Sequence, residues 1–221
     1  MYYGRYRLLL CILIGLVPSN YLRILLYNLL FGYKISPSSR IGFLTVIMVK
    51  SAVITDATIG VFNFFRGPFD LEIEEGSSVN SFNRIECATW ILQEKFKNSN
   101  YAASCKLSKN SLITDRHFID TTGGFELGEG SWIAGRDSQF WTHGAGASDT
   151  SIIIGKDVYI GSGSKFAPGS SIGDNNIVSL GSVVTKKFDV NYCLIGGNPA
   201  KIVKENYDWK SRETSNKEKT N

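Results

Sequence analysis

Ile154-Gly155-Lys156-Asp157-Val158-Tyr159-Ile160-Gly161-Ser162-Gly163-Ser164-Lys165-Phe166-Ala167 opens a run in which Ile154, Ile160, Phe166, Ile172, Val178, Val184 and Val190 fall on every sixth position. Six is neither the helical nor the strand period. A small or hydroxyl residue follows all but the last of them (Gly155, Gly161, Ala167, Gly173, Ser179, Thr185), and Ser164, Ser170 and Ser182 recur four places after their aliphatic. That period marks a parallel β-helix, an all-β solenoid in which each hexapeptide supplies one short strand and a corner. The aliphatic fills the axis, and its neighbour is small because the chain turns there.

Working outward, the same period holds through Ile35, Ile41, Ile47, Val53, Ile59, Phe65 and Leu71. It slips by two to Ile73, Val79, Ile85 and Ile91, resumes at Leu107, Ile113, Ile119 and Phe125, and slips again to Leu127, Ile133 and Gln139. One solenoid is therefore expected over residues 35–203. Two longer intervals, after Ile91 and after Gln139, read as inserted loops at 92–106 and 140–151, where a repeat array tolerates binding or catalytic groups. The second loop contains Trp141-Thr142-His143-Gly144-Ala145-Gly146-Ala147-Ser148-Asp149.

The 221 residues are 43% hydrophobic and 20% charged, with 22 glycines, which suits one continuous core with many corners. The formal charge of +4 is compatible with an anionic ligand or membrane surface, but no Lys/Arg run interleaved with aromatics points to nucleic acid. Cys11, Cys87, Cys105 and Cys193 are scattered without C-x-x-C spacing, so neither a disulfide framework nor a metal site is expected, and a reducing, cytoplasmic setting fits.

Residues 1–34 read as a separate helical hairpin. Arg5 and Arg7 precede the apolar run Leu8 to Val17, which is too short to span a bilayer, and Pro18 stops it. A second helix follows Ser19 or Asn20 as cap, carries Leu22, Leu25, Leu26, Leu29 and Leu30 on one stripe, and ends at Gly32. A hairpin lying in the membrane interface, on the inner face of the cell membrane, is the preferred reading. A secretory signal peptide, for which no convincing cleavage site is present, and two helices that merely close the solenoid are the alternatives. Residues 204–221 mix both charges with Asn, Ser and Thr, and are expected to form a solvated tail.

The stretches Ile154 to Gly161, Ala167 to Asn176, Gly181-Ser182-Val183-Val184-Thr185-Lys186 and Gly196-Gly197-Asn198-Pro199-Ala200-Lys201-Ile202-Val203 closely resemble the C-terminal half of hexapeptide-repeat O-acetyltransferases. That family includes galactoside and maltose acetyltransferases and enzymes that acetylate capsule, colanic acid or O-antigen sugars. The specific match covers about residues 113 to 204. The resemblance implies a left-handed parallel β-helix, a hand that general crossover rules would not suggest. It also implies a homotrimer, with acetyl-coenzyme A bound between subunits.

Residue by residue, the resemblance puts the catalytic histidine at His143. Removing a hydroxyl proton as a thioester is attacked independently suits an imidazole. Tyr159 stands where the family has an indole beside the coenzyme. Leu180, Gly181, Thr185 and Lys186 match the pantetheine-binding corner. Lys204, with Lys201, matches a basic position that meets phosphate. Thr114 stands where a family asparagine positions the acceptor. His117, expected outside a coil corner, and Asp120 are assigned to the acceptor groove. Gly169-Ser170-Ser171-Ile172-Gly173 matches G-x-S-x-G only by chance, because Ile172 is a core position. Two histidines are too few for the three-ligand zinc site of a β-helical carbonic anhydrase, and no phosphate-binding glycine loop is present. The sequence therefore reads as an acetyl-coenzyme A-dependent O-acetyltransferase of a sugar or surface-glycan precursor. N-acylation of an amino sugar and a non-catalytic scaffold are the alternatives.

Overall fold

In a computed structural model that describes residues 4–96, 99, 101–147 and 150–211, each hexapeptide forms a short strand and a corner, and three hexapeptides close one coil. The strands wind into a left-handed parallel β-helix with three faces. On the first face Ile160 pairs with Val178, on the second Phe166 pairs with Val184, and on the third Ile154 pairs with Ile172. The axis is filled by stacked side chains: Ile113, Ile133 and Ile160 from the first face, Ile119, Phe140 and Phe166 from the second, and Leu127 and Ile154 from the third, all at most 1% exposed. Every strand pair is parallel except the last, in which Ala200–Lys204 folds back antiparallel on Leu194–Gly197.

The three corners differ. Between first and second faces the chain turns through Leu44, Phe62, Phe82, Arg116, Asp137, Gly163 and Gly181, each with φ near +60°. Between third and first faces it turns through Asp56, Gly76, Asn110, Gly130, Asp157 and Asn175, again left-handed. Most of these are not glycine, so the strain costs something at each step and only the stacked coils hold them there. Both inserted loops leave at the remaining corner, between second and third faces.

The N-terminal helices α1 (Arg5–Leu16) and α2 (Asn20–Phe31) close the open end of the solenoid. Ser19 caps α2 by accepting from Leu22 N, and Gly32 ends it in the left-handed region. The first coil would otherwise present an unpaired row of backbone groups. Side chains supply the partners. Tyr27 Oη donates to Thr45 O and accepts from Ile47 N, both at 3.1 Å. Tyr33 Oη donates to Val49 O at 2.9 Å and accepts from Val49 N at 3.0 Å. Asn20 bridges Ser39 O and Ile41 N, and the buried Arg23 reaches Ile41 O at 2.9 Å. Of the expected leucine stripe of α2, Leu22, Leu25, Leu29 and Leu30 face away from the solenoid and only Leu26 packs against the core, because Arg23, Ile24 and Tyr27 occupy the inward side.

Bulges and cut corners move four of the expected core positions. A register shift between Val49 and Ser51 leaves Val53 exposed and buries Ala52 and Ile54. A second shift between Ile133 and Arg136, at Gly135 with φ +71°, turns Gln139 aside and buries Phe140. One extra residue swaps the sides of a strand, so the six-residue count misses the next inward position after each bulge. The second-face strand ends at Glu86, so Ile91 belongs to a 3-10 turn, Thr89–Leu92, and the coil resumes at Ser104. Near the end, Phe188 pairs beside Ile172 and takes the place expected for Val190.

The expected solvated tail is in part folded. Tyr207 N donates to Tyr192 O, and Trp209 is buried against Trp132 and Tyr159, its indole N–H donating to Asp157 O at 2.9 Å. An indole buries more apolar area than any other side chain, enough to dock a short charged segment. Residues 212–221 of that tail, and Lys97, Asn98, Asn100, Ser148 and Asp149 of the two loops, lie outside the described residues.

Candidate active site

The strand Phe118–Asp120 runs along the second face and delivers Asp120 to the corner from which the second loop departs one coil later. Asp120 is 3% exposed. A buried carboxylate requires donors, and the local chain supplies them. Thr122 donates to Oδ1 from its backbone N–H at 3.1 Å and its hydroxyl at 2.6 Å. Thr142 donates its N–H to Oδ2 at 2.8 Å, and its hydroxyl lies 2.8 Å from the same oxygen. The remaining neighbour is His143, whose Nδ1 lies 2.6 Å from Oδ2. A carboxylate accepts, so Nδ1 carries a proton, and in the tautomer this contact selects the lone pair lies at Nε2. The His143 side chain is 32% exposed, which leaves that nitrogen reachable.

The first inserted loop reaches the same place. Trp90 meets the His143 ring edge-on at 5.6 Å between centroids and packs against Phe96 at 4.6 Å and Tyr101 at 5.2 Å. Both excursions of the repeat thus converge on one imidazole, with an aromatic wall on one side. Cys87, at the root of the first loop, is buried, and burial, assisted by the charge of Asp120, raises its thiol to about 12. A thiol held protonated is a poor nucleophile, so the corner offers a base and no competing thiolate.

His117 is not outside the coil. It is 1% exposed and takes its place in a ladder of polar residues inside the corner between first and second faces. Thr45 Oγ1 accepts from Asn63 N, Asn63 Oδ1 from Asn83 N, Asn83 Oδ1 from His117 N, and His117 Nδ1 from Ser138 N, at 2.8 to 3.1 Å. Its Nε2 lies 3.0 Å from Thr114 Oγ1, which also contacts Ile133 O and Gly135 O. The ring is therefore neutral with the proton on Nε2, since a second proton would point Nδ1–H at the Ser138 N–H. Burial accordingly lowers its pKa from 6.5 to about 4. His117 follows Ile113 by four residues, as Ser164 follows Ile160 and Ser182 follows Val178. The sequence signal for this role was present, hidden by the residue type.

The other expected site residues fall into separate places. Asp120 belongs with His143 and not with His117, because the two histidines flank opposite ends of the second-face strands. Thr185 and Lys186 are exposed on the His143 corner, beyond Ala167-Pro168-Gly169. Leu180 and Gly181 are exposed on the opposite corner, in line with Arg116 and Asp137. There Arg84, Arg116, Arg136 and His117 help line an open cavity of about 730 Å³. Thr114 is tied into the coil by its own hydroxyl. Tyr159 lies on the first face, half-buried between Trp132 and Trp209. Lys201 and Lys204 are exposed on the final antiparallel strand, Lys204 lying over the Tyr207 ring. Among the described residues no cluster of three or more metal-ligating side chains occurs.

Comparison with known proteins places the repeat. Residues 151–186 match the bacterial transferase hexapeptide, six repeats. Over 62 residues the chain is 40% identical to a chloramphenicol acetyltransferase of Agrobacterium fabrum, an alignment covering 28% of each protein. Over 54 residues it is 41% identical to the galactoside O-acetyltransferase of Escherichia coli strain K12, covering 24% of this chain and 26% of that one. The chain thus spans about a quarter of the length of the curated relatives it matches. Among solved structures, LpxA from Acinetobacter baumannii shares the fold at TM-score 0.52 and 16% identity, over 82% of this chain and 75% of that one. The hexapeptide match begins just after the second loop, so His143 lies immediately upstream of it.

Two contacts of His143 are not legible in the sequence. Asp120 is a candidate from the sequence, but as an acceptor contact, and nothing in one dimension says that a residue 23 positions before His143 is its hydrogen-bond partner. Trp90 precedes the loop as delimited by the repeat count, because Ile91 mimicked a repeat position.

Proposed function

We propose that the chain is an acetyl-coenzyme A-dependent O-acetyltransferase acting on a hydroxyl of a sugar or surface-glycan precursor, with His143 as general base and Asp120 as the residue that positions it. The observation that carries this reading is the 2.6 Å contact between Asp120 Oδ2 and His143 Nδ1, set at the corner where both loops converge. Asp120 holds the ring and its tautomer. Nε2 accepts the proton of the acceptor hydroxyl while that oxygen forms a bond to the thioester carbonyl carbon. As the carbon–sulfur bond breaks, the same proton passes from the imidazolium to the departing sulfur, leaving an ester and a thiol. Transfer is direct, since the neighbouring Cys87 is buried and protonated.

The acyl donor would lie along the corner that carries Thr185 and Lys186, with Leu180 and Gly181 supplied by the opposite corner of a second copy. In one chain the second face separates these two sets, and a ring of three copies would bring corner to corner around every interface. Tyr159, Lys201 and Lys204 are assigned to the donor in the same arrangement, and the arginine-lined cavity of the neighbouring copy to the acceptor side, with Thr114 and His117 holding its floor from within the coil. The test is incubation of the full chain with acetyl-coenzyme A and soluble oligosaccharides, reading thiol release and product mass. An acetylated product whose added group is lost in mild alkali supports the reading. An alkali-stable amide shows an N-acyltransferase, and thiol release no faster than without protein shows a scaffold.

A further inference from the structure

The helical hairpin turns its polar side chains inward, among buried Cys11, Ile14 and Ile24, and leaves an apolar surface on the outside. Between Leu8 and Tyr33 the only charged side chain is Arg23, and it is buried against the first coil. Asn20, Asn28, Tyr27 and Tyr33 likewise spend their polar atoms on that coil's backbone. The outward side is left to Leu9, Leu13 and Leu16 of α1 and Leu22, Leu25 and Leu29 of α2, the last 73% exposed. Their spacings of three, four and seven keep each set on one helical stripe. Tyr6, 90% exposed, stands at the edge of this surface. A water-facing helix ordinarily has the reverse polarity.

Charge is segregated to the same end of the molecule. Through Thr55 there is no Asp or Glu, whereas Arg5, Arg7, Arg23, Lys34, Arg40 and Lys50 are all cationic, and the first acid is Asp56. Arg5, Lys34 and Arg40 are exposed beside the hairpin. No helix among the described residues is long and apolar enough to cross a membrane, so the hairpin can lie on a bilayer but not span it. The last ten residues, Arg212 to Asn221, contain no apolar side chain with which to cover the leucines.

We infer that this end of the solenoid docks on an anionic lipid bilayer, with the leucines of α1 and α2 in the acyl boundary and Arg5, Lys34 and Arg40 at the headgroups. A second copy of this chain fits the surface less well. A two-fold pairing of the same face would set two cationic rims against each other, with Asp56 alone to offset them and already accepting from Ser36 and Ser38, whereas an anionic headgroup layer satisfies both the apolar face and its basic rim. The inference stands whether or not the chain transfers acetyl groups.

The test is co-sedimentation of the full chain with vesicles of phosphatidylglycerol and phosphatidylcholine, and with vesicles of phosphatidylcholine alone. Binding to the mixed vesicles should exceed binding to phosphatidylcholine at least about tenfold. Arg5→Gln/Lys34→Gln/Arg40→Gln should lower it by up to about a hundredfold, each cation near an anionic surface being worth roughly fivefold. Leu9→Gln/Leu13→Gln/Leu29→Gln should abolish it while thermal unfolding and lipid-free mass by light scattering stay those of the wild type. Failure of the wild-type chain to sediment with mixed vesicles, equal binding to both vesicle types, or unchanged binding by the leucine variant overturns the inference. A lower lipid-free mass for the leucine variant would show that the face pairs with a second copy instead.

Discussion

The two corners that flank the second face each hold one histidine, and they use it in opposite ways. At the corner between first and second faces, His117 replaces a serine or asparagine in a buried ladder, with both ring nitrogens engaged by its own coil and the next. At the corner between second and third faces, His143 stands in a departing loop, held by one carboxylate through Nδ1 and open at Nε2. The imidazole is the same. What differs is how many of its nitrogens the fold has already used, and a nitrogen engaged by the backbone is not available to a substrate. A tight corner stacks on its neighbours and consumes donors and acceptors, whereas a corner that emits loops leaves some unspent.

The largest effect that would break this contrast is on turnover. His143→Ala should lower acetyl transfer by roughly 10²- to 10⁴-fold, the range for loss of general acid–base catalysis, with unfolding unchanged because the loop lies outside the stacked coils. Steady-state kinetics beside thermal melts check it, and wild-type turnover in this variant would end the assignment of His143 as base. Asp120→Asn should lower kcat by about 10- to 10³-fold, because an amide no longer enforces the tautomer that leaves Nε2 free, with the KM for acetyl-coenzyme A nearly unchanged. If Asp120 instead touches the acceptor, the acceptor KM will rise with kcat preserved.

The smaller effect sits on the other side of the second face. His117→Gln should leave most of the turnover and destabilise the protein by about 1–3 kcal/mol, the cost of disturbing buried hydrogen bonds. It should also change the response to acid. Between pH 6.5 and about 4 the unfolded chain binds a proton at His117 that the native chain refuses, so stability is complete above that window and declines as pH falls through it, by about 3 kcal/mol in all. Urea unfolding at several pH values should show this component in the wild type and not in His117→Gln. An identical acid dependence in the two proteins would mean that His117 is not the neutral member of the ladder.

Much of this was legible in one dimension, and the illegible parts have common causes. The six-residue period placed the coils, because each aliphatic must reach the axis and each corner repeats. It misplaced Val53 and Gln139 because a bulge adds one residue without any compositional mark, and it admitted Ile91 because an apolar residue in a 3-10 turn can keep the count by accident. With Ile113 and Ile119 inward, His117 falls at a coil corner, where the sequence reading puts it outside, although its position four after Ile113 is that of the buried ladder serines. The tail reads as solvated from its mixed charges, although Tyr207 and Trp209 are its two possible anchors and the buried indole of Trp209 holds the segment.

By itself the sequence determined the solenoid, the presence of two inserted loops and the helical hairpin, and it singled out His143 as a candidate, since periodicity and insertions are properties of the linear chain. Only the tertiary structure decided that Asp120 holds His143, that Trp90 walls it, that His117 is buried in a ladder, and that the hairpin turns its polar atoms inward. Those facts depend on which atoms meet across coils, and a hydrogen bond between neighbouring coils joins residues that no local pattern relates.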